Sequence, residues 1–291
     1  MIETENPTPQ TQKVQKIACG VCLSGGRVSL LDSKLKLYKC GSCSHTMTVD
    51  PHQDPNLYSA EYYSIVHKNW FTHPNYRLFE FIRKYAAEKI GPSCRLLDVG
   101  CGNGDFLKYL ASEMPKAELY GIDTMKIEHE RVHFLQGDFF DFKNDRPFDA
   151  ITNLTVIEHI EPAQLFVKKI GEHLTADGLV FTTTNNNDCL LYKIARALNR
   201  IGIHSAYDRI YSSHHVHHFT NASLKRLFEM NGYDVVFAKN HNYPLQAVDV
   251  PPANAVLRGL YRMTVAVIFF VSSFTNSGFL QTLVCKKCPA A

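Results

Sequence analysis

The segment from Leu96 to Phe106 constrains the fold of this chain more than any other. Its apolar residues predict a buried strand with Asp98 at the carboxyl end, and glycines then occupy every second position before a helix begins: Gly100, Gly102, Gly104. Glycine permits backbone angles and approach distances that a Cβ would forbid. Open α/β sheets bind their ligands outside the carboxyl ends of the strands. The pattern therefore predicts a doubly wound α/β fold that holds a ligand against bare backbone.

The spacing of these glycines separates two kinds of nucleotide site. A dinucleotide fingerprint is G-x-G-x-x-G, with a helix N-terminus facing a pyrophosphate, whereas residues 98–104 read D-x-G-x-G-x-G. This pattern resembles motif I of the class I S-adenosylmethionine-dependent methyltransferases. The resemblance implies a doubly wound seven-stranded sheet with its last strand antiparallel, S-adenosylmethionine as cofactor and methyl transfer as the activity. A glycine-rich turn in another doubly wound fold is the alternative.

Carboxylates follow the next predicted strands, residues 118–123 and 132–135. Asp123 lies nineteen residues after Gly104, where a carboxylate of a βαβ unit can accept hydrogen bonds from two ribose hydroxyls. A surface aspartate at a strand end is the alternative. The family resemblance implies four further contacts: Asp138 with the adenine amine, Phe139 with the adenine ring face, and Asn153 and Leu154 beside the methyl donor.

A candidate catalytic turn, V-x-E-H, contains Glu158 and His159. It resembles a recurrent turn of small-molecule methyltransferases, in which the histidine is sometimes a general base and the pair sometimes binds a divalent ion. A histidine suits the removal of a proton from a hydroxyl near neutral pH. The alternative is structural, because Glu158 precedes a helix that Pro162 is expected to begin. His215 joins the candidates because residues 215–220, H-x-x-x-F-T, resemble the family's lead into its penultimate helix.

Two C-x-x-C pairs near the N-terminus, separated by seventeen residues, predict a structural zinc site formed by Cys19, Cys22, Cys40 and Cys43. Residues 27–38 between them are expected to form a hairpin, and the metal would supply most of the folding free energy of so small a module. A redox-active pair is the alternative. The knuckle, the proline turn and the tyrosine-rich stretch that follow it resemble bacterial zinc-ribbon methyltransferases associated with sugar and glycan modification.

These assignments divide the chain into a small N-terminal ribbon and a large α/β domain. The expected parts are a polar tail (1–16), the zinc ribbon (17–50), a linker (51–72) and the methyltransferase domain (73–287), with substrate-side insertions at 185–219 and 244–275.

The charge is unevenly distributed along the chain. Residues 46–187 carry fourteen Lys and Arg against twenty Asp and Glu, whereas residues 188–291 carry eleven against five. The basic third suits contact with an anionic partner, although solvated charge is the simpler explanation. The ribbon lacks an interleaved basic and aromatic stripe, so nucleic acid is an unlikely partner.

The first eleven residues are polar and carry two glutamates, so we expect a cytoplasmic protein with reduced cysteines. The apolar run that begins at Met263 is interrupted by Ser272 and Ser273 after about half of the roughly 20 residues that a membrane span needs. We expect a helix that packs in the core, with peripheral contact of residues 255–275 with the inner membrane face as the alternative.

The expected activity is methyl transfer to a small-molecule or glycan-intermediate acceptor, through a hydroxyl of a sugar or glycan-pathway compound. Two alternatives stay open: a zinc-ribbon RNA methyltransferase, and a protein that binds S-adenosylmethionine without catalysis.

Overall fold

Two β-sheets organise the chain, which a computed structural model describes over residues 17–25, 28–49, 68–211, 215–250 and 254–288. The strands are β1 (Val28–Asp32), β2 (Leu37–Cys40), β3 (Thr46–Thr48), β4 (Arg95–Val99), β5 (Glu118–Asp123), β6 (His133–Gln136), β7 (Phe148–Leu154), β8 (Leu174–Asn185), β9 (His217–His218), β10 (Tyr233–His241) and β11 (Leu280–Lys287). The helices are α1 (Lys68–Thr72), α2 (Tyr76–Lys89), α3 (Asp105–Glu113), α4 (Ala163–His173), α5 (Leu190–Arg200), α6 (Ser205–Ile210), α7 (Asn221–Met230) and α8 (Ala255–Phe274).

The larger sheet has seven strands in the order β10-β11-β8-β7-β4-β5-β6. Strands β4 to β8 run parallel, and β11 is antiparallel to both of its neighbours. After β4 the chain first builds β5 and β6 on one side and then crosses to β7 on the other. The carboxyl end of β4 is therefore the topological switch point, where such sheets open a crevice for a ligand. The prediction of a class I methyltransferase sheet is confirmed.

Helices cover both faces of this sheet and bury its central strands. All five residues of β4 are buried. On one face α2 and α3 contribute Ile82 and Leu107 to the core, and on the other α4 and α7 contribute Phe166 and Phe228. Most residues of β4 and β7 are apolar, as expected for strands that are buried on both faces.

The N-terminal ribbon forms a second sheet, and one strand of this sheet comes from outside the ribbon. Its order is β1-β2-β3-β9, so a strand from the 185–219 insertion, His217–His218, completes it. The predicted hairpin is confirmed as β1 and β2. The 1–16 tail, residues 51–67 of the linker and His214 of the histidine cluster lie outside the described residues.

Two serines interrupt the apolar run of helix α8 but do not end the helix. The helix continues to Phe274 because the hydroxyls of Ser272 and Ser273 both donate to the carbonyl of Phe269, so these residues keep their polar groups satisfied inside the helix. Its buried residues are Val265, Phe269 and Ser272.

The opposite face of α8 is apolar and exposed. Its exposed residues include Met263, Val267, Phe270 and Phe274. Within the described residues, α8 is the one helix whose length and composition would allow it to cross a membrane.

Candidate active site

The glycine turn after β4 is built from residues in left-handed conformations. Gly100, Gly102 and Gly104 have φ angles of 69°, 54° and 78°. A Cβ on Gly100 would lie 2.6 Å from a methyl group of Val156, so only glycine allows the turn after β7 to approach so closely. The amide of Gly102 donates to Oδ2 of Asp123 at 2.8 Å. This hydrogen bond joins the turn after β4 to the end of β5.

A cavity of about 660 Å³ opens over this turn at the carboxyl ends of the parallel strands. Ten of the predicted site residues line it: Asp98, Gly100, Gly102, Asp123, Asp138, Phe139, Leu154, Glu158, His159 and His215. The residues predicted for the cofactor and those predicted for catalysis therefore face one common space.

Two predicted site residues do not line the cavity, and each has a structural explanation. Asn153 lies on the opposite face of β7 from Leu154, where its side-chain amide donates to Thr182 on β8 at 2.9 Å. Asn153 therefore does not line the cavity, and its role beside the methyl donor stays a prediction. Gly104 is the residue that precedes α3, and a Cβ there would lie 2.7 Å from the ring of Phe134. Gly104 therefore fixes the conformation of the turn but does not form part of the cavity wall.

The buried carboxyl of Asp98 faces the cavity from β4. Its Oδ1 accepts a hydrogen bond from the hydroxyl of Thr152 at 2.6 Å. Burial raises the pKa of Asp98 to about 7, and the negative charge of nearby Asp123 acts in the same direction, whereas the Thr152 hydrogen bond opposes both. Ionisation of Asp98 therefore responds to charge brought into the cavity near neutral pH.

Asp123 and Asp138 lie at the ends of neighbouring strands. Asp123 is fixed by the amides of Gly102 and Met125, the latter at 3.0 Å from Oδ1. Asp138 accepts from the amide of Phe140 at 2.8 Å. Because each carboxylate oxygen has two lone pairs, both groups keep acceptor capacity for a ligand.

Glu158, His159 and His215 meet on the other side of the cavity. The Oε2 atom of Glu158 accepts from the hydroxyl of Thr184 at 2.7 Å, and burial raises the pKa of Glu158 to about 7. The rings of His159 and His215 form an edge-to-face pair with centroids 4.7 Å apart. The three side chains lie within 4.8 Å of one another, close enough to share a divalent ion.

The geometry does not support a role for Glu158 at the N-terminus of helix α4. Helix α4 begins at Ala163 after Pro162, and no side chain caps its N-terminus. Glu158 instead lies in a short 3₁₀ turn, Ile157–His159, with its side chain directed inward.

One wall of the cavity contains aromatic residues that sequence reasoning missed. They come from α1, from the segment after β10 and from α8: Trp70, Phe71, Tyr243 and Tyr261. The edges of the Trp70 and Tyr243 rings meet with centroids 5.0 Å apart. The single tryptophan of the chain was the available signal, but nothing local in the sequence connects it to Tyr243, which lies far away along the chain.

The four N-terminal cysteines form a second candidate site away from the cavity. The Sγ atoms of Cys19 and Cys43, and those of Cys22 and Cys40, are 3.6 Å apart. Sulfur atoms at about 2.3 Å from a tetrahedral zinc ion would be about 3.8 Å apart. The set therefore matches the geometry and the soft-ligand chemistry of a structural zinc site.

Cys40 differs from Cys19 in the pKa of its thiol. Although burial acts to raise the pKa of Cys40, hydrogen bonds from the Ser24 hydroxyl and the amides of Ser42 and Cys43 lower it to about 6. Burial raises the pKa of Cys19 to about 11. A thiolate at Cys40 is thus favoured before any metal binds.

Comparison with known proteins identifies the family. The family described as "Methyltransferase domain" matches residues 70–237, which is more than half of the chain. The chain belongs to this methyltransferase family. The structural neighbours include the 1,6-didemethyltoxoflavin-N1-methyltransferase of Burkholderia thailandensis with bound S-adenosylhomocysteine (TM-score 0.50, 13% identity, 90% of this chain and 100% of that chain). A SAM-dependent methyltransferase from Archaeoglobus fulgidus has a TM-score of 0.51 at 18% identity (78% of this chain, 100% of that chain).

Two curated relatives are similar to part of this methyltransferase. The ubiquinone biosynthesis O-methyltransferase of Rickettsia typhi is 30% identical over 103 residues, which is 32% of this chain and 41% of that protein. The (S)-tetrahydroprotoberberine N-methyltransferase of Eschscholzia californica is 30% identical over 98 residues, 30% of this chain and 28% of that protein. The chain thus spans less than half the length of these relatives. Together, the family and the fold show that this chain contains a methyltransferase domain with the class I fold.

The raised pKa of Asp98 predicts a pH-dependent affinity for S-adenosylhomocysteine, whose amino-acid end carries an ammonium group. A cation in the cavity favours the ionised carboxylate, so binding should release a proton near pH 7 and weaken as the pH falls through about 7. Calorimetry in two buffers with different ionisation enthalpies measures both effects. Asp98→Asn should remove most of the proton release and most of the pH dependence. Glu158→Gln is the matched comparison, because Glu158 is a second buried carboxyl in the cavity whose pKa is raised to about 7. A wild-type affinity that does not change with pH across this interval would show that the ligand brings no positive charge close to Asp98.

Proposed function

We propose that this chain transfers a methyl group from S-adenosylmethionine to a hydroxyl of a small-molecule acceptor, a sugar or glycan-pathway intermediate. The observation that carries the proposal is the common cavity, in which Glu158, His159 and His215 face the glycine turn and Asp123. On one side of this cavity, backbone and carboxylates could bind a nucleoside. On the other side, histidines could accept a proton.

The cofactor roles follow from position on the sheet. Asp123, fixed at the end of β5, would accept from the ribose hydroxyls. Asp138 and Phe139 would hold the adenine, and Phe139 is already supported by Phe166 at a ring-centroid distance of 5.6 Å. Asp98 would face the cationic amino-acid end. Gly100, Gly102 and Leu154 would lie against the body of the cofactor.

When bound, the cofactor supplies an electrophilic methyl group on a sulfonium. The protein's share of catalysis is to align the acceptor oxygen with that methyl, exclude water and remove the hydroxyl proton. His159 is the proposed base, with His215 against its ring edge at a centroid distance of 4.7 Å. The buried Glu158 would stabilise the histidine pair once a proton has arrived.

The proposed acceptor class rests on the walls of the cavity. Trp70, Tyr243 and Tyr261 offer flat apolar faces with polar edges, which suit the two faces of a sugar ring. Arg209 adds a cation to the same wall, suited to an acceptor with a phosphate or carboxylate group. Neither alternative proposal has such support: an RNA acceptor would call for a basic aromatic stripe on the ribbon, and a non-catalytic binding role leaves the histidine pair without a use.

The direct test uses labelled S-adenosylmethionine and a fractionated cell extract. We expect label in a small-molecule fraction, and His159→Ala should lower the rate by about 10²- to 10⁴-fold, as for loss of a general base, with cofactor affinity retained. His204→Ala, an exposed histidine that does not line the cavity, is the matched control. Label in RNA would favour the ribbon alternative, and no label in any fraction would favour a binding role.

We further propose that Cys19, Cys22, Cys40 and Cys43 bind one structural zinc ion. Their mutual distances, all within 4.8 Å, support this reading over a redox pair. Metal analysis of the purified chain should find one zinc per chain, and Cys40→Ser should lose it. Cys189→Ser, which replaces a buried cysteine outside the cluster, should retain it. A chain that folds without any bound metal would overturn the proposal.

Peripheral membrane contact through residues 255–275 is also proposed. The exposed face of α8 is apolar, the helix has no acidic residue, and Arg258 and Arg262 near its beginning suit anionic headgroups. Wild-type protein should sediment with vesicles that contain phosphatidylglycerol, and Phe270→Ser with Phe274→Ser should abolish this. Leu165→Ser is the control, because Leu165 is also exposed (49%) but lies on α4 rather than on α8. Equal recovery in the supernatant with and without vesicles would refute the contact.

A further inference from the structure

A buried chain of hydrogen bonds connects the ribbon to the turn that carries His159. Nε2 of His217 lies 3.1 Å from the carbonyl oxygen of Ile160, and Nδ1 of His217 lies 3.1 Å from Nε2 of His45. Nδ1 of His45 lies 3.3 Å from the hydroxyl of Ser223 at the start of α7. Both histidines are buried. The ribbon therefore reaches the catalytic turn through one intermediate side chain.

The donor and the acceptor of each hydrogen bond in this series follow from the carbonyl oxygen at its end. A carbonyl oxygen only accepts, so Nε2 of His217 must carry the proton that it donates to Ile160. In a neutral ring, Nδ1 of His217 is then an acceptor, and Nε2 of His45 donates to it. Nδ1 of His45 is then an acceptor, and it is satisfied when the Ser223 hydroxyl donates to it rather than to the carbonyl of Thr220, which lies 3.2 Å away. One arrangement of protons satisfies every member, and it requires a donor at Nε2 of His45.

The backbone of the ribbon holds the same segment. Strand β3 pairs with β9, and the amide of Thr48 donates to the carbonyl of Val216 at 2.9 Å. The amide of Val216 in turn donates to the carbonyl of Glu158 at 2.9 Å. The hydroxyl of Thr48 also lies 3.1 Å from Nε2 of His218. The segment that begins at His215 is thus held between the ribbon on one side and the catalytic turn on the other.

The first cysteine knuckle packs against the same histidine. A Cβ on Gly20 would lie 2.9 Å from Cε1 of His217, so the knuckle backbone rests directly on this ring. The side-chain amide of Gln164, on α4, donates to the carbonyl of Val21. Movement of the knuckle would therefore displace His217 and its contact with Ile160.

We propose that His45 and Thr48 of the ribbon are positioning residues for the histidine pair His159 and His215. The ribbon fixes residues 215–218 and the Ile160 carbonyl, so the two imidazoles meet at one place in the cavity. The catalytic consequence rests on the proposed function, in which His159 takes the acceptor proton. In this arrangement the four cysteines affect the histidine pair only indirectly, because a metal bound to them would keep the first cysteine knuckle rigid against His217.

The test compares His45→Leu, which keeps the apolar bulk but has no donor, with His45→Gln, whose side-chain amide can donate to Nδ1 of His217. Lys39→Ala changes an exposed ribbon residue and is the matched control. Histidine-labelled protein with bound S-adenosylhomocysteine is followed by nitrogen- and carbon-detected ring spectra, which report tautomer and environment at each histidine. Calorimetry with S-adenosylhomocysteine and thermal unfolding are measured for every variant.

We expect the wild-type spectra to show His45 and His217 protonated at Nε2. His45→Leu should shift and broaden the ring signals of His159 and His215, with unchanged S-adenosylhomocysteine affinity, and His45→Gln should restore them. Methyl transfer to extract acceptors should fall by as much as about 100-fold in His45→Leu, the loss that a misplacement near 1 Å can cause. Lys39→Ala should match the wild type in all readouts.

If His45→Leu does not fold, Thr48→Val replaces it, because this change keeps the strand and removes only the hydroxyl that meets His218. Unchanged signals of His159 and His215 in both variants, or His217 protonated at Nδ1 in the wild type, would overturn the proposal. A wild type that shows the expected ring spectra but labels no acceptor would refute the proposed function and leave the positioning role standing.

Discussion

The hydrogen bond from the Gly102 amide to Asp123 is the contact on which the geometry of the site depends. It fixes the left-handed turn after β4 to the end of β5, and so sets the floor of the cavity. The neighbouring Gly100 has a second effect, because its missing Cβ lets Val156 approach the turn. Since Val156 directly precedes the turn that carries Glu158 and His159, the same glycine turn sets the distance between the cofactor side and the acid–base side.

Much of the fold could be predicted because its strongest signals are local. Most residues of strands β4 and β7 are apolar, and α3 and α7 show helical spacing of their buried residues. The orientation of Asn153 was also contained in the sequence, since alternate residues of a strand face opposite sides and Leu154 faces the cavity. The resemblance to the family placed Asn153 at the methyl donor, and strand geometry places it against Thr182.

The features that could not be predicted depend on contacts between distant segments. A two-residue strand such as β9 has no periodicity to detect, and its pairing with β3 joins residues about 170 positions apart. The aromatic wall brings Trp70 against Tyr243 from opposite ends of the domain.

Calorimetric titration of the full chain with S-adenosylhomocysteine, and separately with NAD⁺, decides which kind of nucleotide the glycine turn holds. We expect one site for S-adenosylhomocysteine and no binding of NAD⁺. It also predicts that Asp123→Ala weakens S-adenosylhomocysteine by about 1.5–3 kcal/mol, the value of a hydrogen bond to a charged group. Tight binding of NAD⁺ with no response to S-adenosylhomocysteine would contradict the account.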